Sequence, residues 1–271
     1  MKVVLFCGGQ GLRIREAGEN IPKPMVPIGY RPIIWHLMRY YAHYGHKDFV
    51  LCLGHRGDAI KRYFLDYDEC ISNDFVLSGG GKSVKLLSSD TDNWTITFVD
   101  TGAEANVGQR LRAVRRHLDG EEMFLANYAD NLSDVPLDEV IAHARREDKL
   151  ATCVSVRPSQ TFHVLRTTPG TSSVCEIEPV TKADVWMNGG FFALKPQIFD
   201  HLHEGDELVI ECFNRLIGMN QLTTFRHDGF WHAMDTFKEK MALEDLYSRG
   251  KAPWEVWRGD RAKAQPVAQR V

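Results

Sequence analysis

Residues 2–13 read KVVLFCGGQGLR. Val3–Phe6 is a short apolar run led by two β-branched residues, the signature of a buried strand, and a glycine turn follows at once. Gly8, Gly9 and Gly11 let the backbone turn tightly and aim N–H groups at a common point. Arg13 adds positive charge to the same loop, as does Lys23, whose backbone is stiffened by Pro22 and Pro24. Such a loop after the first strand of an α/β sheet lies at the carboxyl ends of the strands, where ligands bind. A triphosphate suits it better than a neutral ligand, because N–H nests with arginine and lysine are phosphate-binding hardware.

Outward from this loop the same alternation continues. Apolar runs at Val3–Phe6, Phe49–Leu53, Thr95–Val99, Met123–Ala126, Ala151–Val156 and Phe191–Leu194 read as strands. Helical patterns occupy 31–45, 56–66, 108–118, 137–148, 206–218 and 237–249. The alternation predicts an α/β protein with a Rossmann-like mixed, mostly parallel sheet flanked by helices. Residues 157–193 read as short strands with turns, which predicts a small antiparallel insertion there. The last thirteen residues, from Gly259 to Val271, are polar with little periodicity and are expected to fray.

The 271 residues are 44% hydrophobic and 25% charged, an ordinary globular composition, with 33 Lys and Arg against 36 Asp and Glu. A formal charge of −3 does not provide the basic surface of a dedicated nucleic-acid binder. No apolar stretch approaches the roughly 18 residues of a membrane span, and MKVVLFCGG leaves no room for a secretory leader. A cytoplasmic location with no membrane partner is the expectation. The six cysteines (Cys7, Cys52, Cys70, Cys153, Cys175 and Cys212) are scattered without a CxxC pair and read as free, mostly core residues.

Two glycine motifs are decoys. A dinucleotide fingerprint read from Gly9 would need glycine where Ile14 stands, and the P-loop-like SGGGKS at 78–83 would need glycine where Val76 stands. Two carboxylates matter more. Asp130 follows the strand MFLANYA and Asp235 lies in FWHAMDT before a helix, both at the kind of junction from which side chains reach a sheet-top cleft. Magnesium is commonly held by one or two carboxylates together with phosphate oxygens, so this pair could seat Mg²⁺ beside a triphosphate. Spacing alone equally allows solvated loop aspartates, with Asp235 as a helix N-cap. Asp134 and Asp138 read as turn and helix-start residues. The pairs His43/His46 and His201/His203 have no zinc-like context. The Trp35, Tyr40, Tyr41 run reads as core.

Taken together, these residues resemble the sugar-phosphate nucleotidyltransferase family, and within it the bacterial glucose-1-phosphate cytidylyltransferases. The family opening GGxGTRL…KPKPM is matched by Gly8, Gly9, Gly11, Arg13, Lys23, Pro24 and Met25. Similar stretches are PIIWHLMRYYAHYGHKDFVLCLGHRGDAIKRYF, VDTG at 99–102, NGGFF at 188–192, GFWHAMDT at 229–236 and GKAPWEVW at 250–257. The resemblance implies one domain over 1–257 followed by a flexible tail at 258–271. Within it, about 1–130 would bind nucleotide, about 131–235 sugar phosphate, and about 236–257 form a C-terminal helix and tail. It implies that CTP and a sugar 1-phosphate give CDP-sugar and pyrophosphate, with Mg²⁺ on Asp130 and Asp235. Arg13 and Lys23 are then the catalytic cations, and Gly8, Gly9, Gly11, Gly108 and Arg110 the nucleotide contacts. Glu178, Asn188 and Gly189 are the sugar contacts. A homotrimer or hexamer is implied as well.

The chain departs from the family pattern on the acceptor side. The lysine that usually follows the family glutamate is absent, since Pro179 follows Glu178; Lys182 is the nearest substitute. Phe162-His163-Val164 stands for Phe-Gly-Ala, Leu12 for threonine, and Asn131 for glycine. A modified relative of glucose 1-phosphate therefore becomes a candidate acceptor. UTP or dTTP in place of CTP, or a catalytically silent nucleotide-sugar-binding regulator, are the alternatives.

Overall fold

The computed structural model describes residues 1–9, 21–68, 73–87, 89, 91, 93–158 and 162–259. At its centre lies a sheet of seven strands, numbered here in chain order. They are β1 Lys2–Phe6, β2 Asp48–Leu53, β3 Thr95–Asp100, β4 Phe124–Tyr128, β5 Ala151–Val156, β6 Met187–Leu194 and β7 Leu222–His227. Their spatial order is β7-β5-β6-β4-β1-β2-β3. β1 pairs in parallel with β2 and β4, β2 with β3, and β5 with β7; β6 alone runs antiparallel to both of its neighbours. The mixed, mostly parallel α/β sheet expected from the sequence is therefore present. Because β6 is reversed, its first residues sit at the edge where β1 and β4 end.

Helices cover both faces: α1 Ile33–His43, α2 Gly57–Leu65, α3 Val107–Ala113, α4 Leu137–Glu147, α5 Phe213–Gly218 and α6 Phe237–Ser248. Successive strand residues point to opposite faces. Leu5, Leu51, Leu125 and Phe191 accordingly pack with Trp35, Tyr40 and Tyr41 of α1 and Val140 of α4. Val4, Val50, Ala126 and Phe192 pack with Leu111 of α3 and Leu216 of α5. Burial on both faces explains why these strands read as unbroken apolar runs rather than alternating ones. The segment GKAPWEVW joins the first core: Trp254 is fully buried and Trp257 nearly so.

Several elements differ from the sequence expectation. The helix expected over 108–118 is α3 followed by a 3₁₀ turn, Arg115–Leu118. The one expected over 206–218 opens with a π-helical turn, Leu208–Cys212, whose first N–H groups are accepted by the Glu207 carboxylate. The antiparallel insertion is the hairpin His163–Thr167 with Val174–Pro179. SGGGKS forms the turn of an exposed hairpin, Phe75–Ser78 with Ser83–Leu86, in which Gly79, Gly80 and Gly81 all have positive φ. Strand β7 was not expected at all. Cys7, Cys52 and Cys212 are buried as anticipated, whereas Cys175 is exposed on the insertion hairpin. Cys70 and the tail from 260 onward lie outside the described residues. Among the described residues no helix is long and apolar enough to cross a membrane.

Candidate active site

The carboxyl edge of the sheet opens into a cleft of about 490 Å³, within the range typical of small-molecule sites. Gly8 and Gly9 after β1, Lys23, Tyr128 at the end of β4, Asp130 just beyond it, Asn188 on β6, and Trp231 and Asp235 are among the residues that line it. Gly11 and Arg13 lie outside the described residues.

Asp130 and Asp235 are brought together by a short ladder. Beyond the turn that holds Asp130, Asn131–Ser133 pairs antiparallel with Trp231–Ala233, with Asn131 opposite Ala233. Met234 N–H donates to the Asp130 carbonyl at 2.8 Å, so the two aspartates flank the same end of the ladder. At the other end the Asp134 carboxylate accepts from Phe230 N–H and from His227 Nε2, each at 2.8 Å. Asp134 therefore fastens this ladder, which is more than the turn role expected of it. The N-cap of α6 is Thr236, in a capping box with Glu239. Glu239 Oε2 also accepts the N–H of Asp235. Capping thus makes no use of the Asp235 carboxylate, and the reading of this residue as a helix cap is set aside.

Both carboxylates meet one cation. Lys23 Nζ donates to Asp130 Oδ2 at 3.3 Å and also to Asp235 Oδ1. Lys23 begins a 3₁₀ turn, Lys23–Met25, between Pro22 and a buried Pro24, so its backbone is held while its four-carbon stem stays adaptable. Burial by itself would lower the Lys23 pKa, but the attraction of Asp130 and the contacts with Asp235 outweigh it and hold the ammonium above its ordinary value. Burial lifts the Asp130 carboxyl above the usual carboxylate range; Lys23 opposes that shift and the charge on Asp235 adds to it.

Arg110 and Gly108 do not line this cleft. Arg110 is buried, and its Nη1 donates to Leu53 O at 3.2 Å, Thr101 Oγ1 at 2.7 Å and Gly102 O at 2.9 Å, with Nη2 reaching Ala103 O at 3.3 Å. The guanidinium thus pins the loops after β2 and β3 beneath Gly8. A Cβ on Gly8 would lie 2.1 Å from Arg110 Cζ, and one on Gly54 would lie 2.7 Å from Nη1. Glycine at position 8 therefore has a steric cause besides its use in an anion nest. Gly108 is equally constrained: its Cβ would lie 2.2 Å from the Asp206 carbonyl oxygen. Gly9 differs, since a Cβ there would meet nothing within 4 Å.

Of the residues expected to contact the sugar phosphate, only Asn188 reaches the cleft lining. Gly189 packs behind it: its carbonyl accepts from Trp231 Nε1 at 2.8 Å, and an added Cβ would crowd Val156 Cγ1 at 2.9 Å. Glu178, on the insertion hairpin, accepts from Arg166 Nη2 at 2.9 Å. Lys182 is exposed beyond that hairpin and is not a lining residue. Arg157 is paired with Asp184 and Asp228. Tyr128, Asn131 and Trp231 line the cleft without having been singled out for it. Tyr128 is the last residue of β4, and its hydroxyl is held above the usual phenol range by burial.

Comparison with known proteins bears on the family and the fold. The family model for nucleotidyl transferases matches residues 2–236. A probable glucose-1-phosphate cytidylyltransferase of Bacillus subtilis is 34% identical over 259 residues, covering 95% of this chain and all of the relative. The glucose-1-phosphate cytidylyltransferase of Salmonella typhimurium is 35% identical over the same shares. Among solved structures, a UTP-bound UGPase from Acinetobacter baumannii superposes with a TM-score of 0.67 at 15% identity, covering 98% of this chain and 99% of the other. A putative glucose-1-phosphate thymidylyltransferase from Bacillus anthracis gives 0.65 at 16% identity, covering 91% and 94%. Those two likenesses concern the fold. With a sheet-top cleft that gathers Gly8 and Gly9, a lysine and two aspartates, and a match along nearly its whole length, the chain belongs to the nucleotidyl transferase family.

Proposed function

We propose that the enzyme condenses CTP with a sugar 1-phosphate, glucose 1-phosphate or a modified relative, to give a CDP-sugar and pyrophosphate. The near full-length similarity to glucose-1-phosphate cytidylyltransferases supports the substrates. The observation that carries the chemistry is the convergence of Asp130 and Asp235 on one cation beside Gly8 and Gly9.

An oxygen of the acceptor phosphate attacks the α-phosphorus in line. The new O–P bond forms as the bond to the β-phosphate oxygen breaks, and the electron pair leaves with pyrophosphate. The attacking oxygen is already anionic, so no protein nucleophile or general base is needed, and catalysis reduces to positioning and charge neutralisation. The Gly8 and Gly9 turn cradles the phosphates. Lys23 neutralises them, and Arg13 would add charge from the same loop. Arg110 and Gly108 hold the walls around the nucleotide; Asn188, backed by Gly189, faces the acceptor.

The donor set suits Mg²⁺. Two carboxylates already share one cation, and the open cleft leaves room for phosphate and water ligands, as this hard, six-coordinate ion prefers. Asp130 and Asp235 would hold it. When bound, it supplies positive charge at the reacting phosphate oxygens. Among the described residues there is no cluster of three or more His, Cys, Asp or Glu side chains that could hold a metal, which leaves this pair as the candidate. A cytoplasmic setting and a homotrimeric or hexameric assembly belong to the same proposal, on family resemblance.

Pyrophosphate release from a panel of nucleoside triphosphates and sugar 1-phosphates, with product masses, tests the reading. CTP is expected to be preferred; preference for UTP, dTTP or a purine triphosphate overturns the cytidylyl assignment. Nucleotide binding without release for any acceptor would instead favour a regulatory nucleotide-sugar binder, the reading that the missing acceptor-side lysine motivates.

A further inference from the structure

We propose that Lys23 is a built-in counter-cation that keeps free divalent metal out of the Asp130–Asp235 pair until a nucleoside triphosphate draws its ammonium away. The inference deepens the reading of these aspartates as the metal's ligands and rests on it.

The geometry is direct. A single Nζ contacts an oxygen of each carboxylate, which is the bridging place a metal on both aspartates would take. The ammonium is strongly hydrated in water and costly to move into a cleft without partners; here its side chain is 19% exposed and both partners are anions. Without it, two carboxylates would face each other across a short gap in a partly buried site, an arrangement that like-charge repulsion opposes. The charge that satisfies the pair in the free protein is thus supplied by the chain itself. A divalent ion arriving alone must expel this ammonium into a cleft whose described lining offers no anion besides these two aspartates. A triphosphate changes that balance. Lys23 also lines the cleft with Gly8 and Gly9, and its flexible stem lets Nζ move from the carboxylates to phosphate oxygens without moving the Pro22–Pro24 backbone. Nucleotide entry then vacates the position between the aspartates as it brings phosphate ligands for the metal. Binding order follows: metal enters with the nucleotide or after it, and the free protein is not poisoned by ambient divalent cations.

Mn²⁺ alone, with no nucleotide, is the probe, and electron paramagnetic resonance of unbound Mn²⁺ is the readout. The native protein is expected to bind it weakly, and Lys23→Met at least ~10-fold more tightly, because one unit of opposing charge at contact distance has been removed. Lys23→Arg, which keeps the charge, is expected to bind as weakly as the native protein. Adding CTP without acceptor should raise Mn²⁺ affinity for the native protein far more than for Lys23→Met. Equal affinity of the native and Lys23→Met proteins for Mn²⁺ alone, whether tight or weak, overturns the proposal, provided the circular dichroism and melting of the variant show a folded protein. If Lys23→Met does not fold, Lys23→Gln takes its place under the same criteria. Failure of the underlying metal assignment looks different: Mn²⁺ binding gained by Lys23→Met would survive Asp130→Asn in the same chain.

Discussion

The N–H of Met234 donates to the carbonyl oxygen of Asp130 at 2.8 Å, and this bond sets the meeting of two carboxylates from distant parts of the chain. It extends the Asn131–Ser133 and Trp231–Ala233 pairing by one step, so Asp235 emerges from the ladder where Asp130 turns into it. Asp235→Asn keeps the shape, the ladder and the Thr236 cap while removing the charge. Turnover should fall by about 100-fold or more, the scale on which a preorganised electrostatic contact to the reacting group is lost. The circular dichroism spectrum should be unchanged. A rate within a few-fold of native at saturating Mg²⁺ would show that Asp235 does not hold the metal.

Arg110 offers a second test, because structure and family resemblance assign it different work. Its guanidinium serves Leu53, Thr101, Gly102 and Ala103 from a buried position, so Arg110→Met leaves three carbonyls and a hydroxyl without that donor. Unfolding in urea should show a loss of about 2–4 kcal/mol, the range for stranding buried polar partners. The KM for nucleotide should rise as the loops relax around Gly8. A surface-like change below about 0.5 kcal/mol, with only nucleotide selectivity altered, would instead make Arg110 a direct base contact.

Much of the fold was legible because buried parallel strands are concentrated signals. Val3–Phe6, Phe49–Leu53 and Ala151–Val156 each carry an apolar run that has only one economical place in an α/β protein. Strand β7 escaped because LTTFRH is half polar and pairs on one side only, at the sheet edge. The ladder that builds the site escaped for another reason: three-residue strands have no periodicity to read, and their pairing is wholly non-local. Lys23 and the aspartates were visible as residue types in suggestive places; that one ammonium bridges them is a fact of tertiary geometry. Gly8 shows the converse. Its motif pointed to phosphate, yet nothing in the local sequence announced the arginine packed against it.

Gly190 is required by the cleft wall rather than by ligand. Its φ is +77°, a conformation that favours glycine, and a Cβ there would lie 2.4 Å from Tyr128 Cδ2 and 2.7 Å from Asn131 Nδ2. Gly190→Ala combines backbone strain with overpacking and should cost about 2–4 kcal/mol in chemical denaturation. The displaced Tyr128 ring should also raise the KM for at least one substrate. An unchanged denaturation midpoint would mean that the wall yields freely here.

Stability should depend on pH through His36, which does not line the cleft. His36 is fully buried on α1, with Nε2 3.1 Å from Ile28 O and Nδ1 3.3 Å from Trp254 Nε1. The indole can only donate, so Nδ1 must accept and Nε2 must carry the proton: the neutral ring satisfies both bonds. Protonation would set two N–H groups against each other. Burial, the largest cause, and the charges of Arg31 and Arg258 lower its pKa from 6.5 to about 4, against the pull of the Ile28 carbonyl. Because the folded value lies below the unfolded one, the unfolded chain binds more protons between about pH 4 and 6.5. Stability from this group is therefore complete above about pH 6.5, declines as the medium is acidified, and is gone below about pH 4. At pH 5 the loss relative to pH 8 is about 2 kcal/mol from His36 alone. Urea unfolding of native protein and His36→Gln at both pH values isolates that share: the variant starts less stable but should lose about 2 kcal/mol less on acidification. Parallel losses in the two proteins would show that His36 is not the group being titrated.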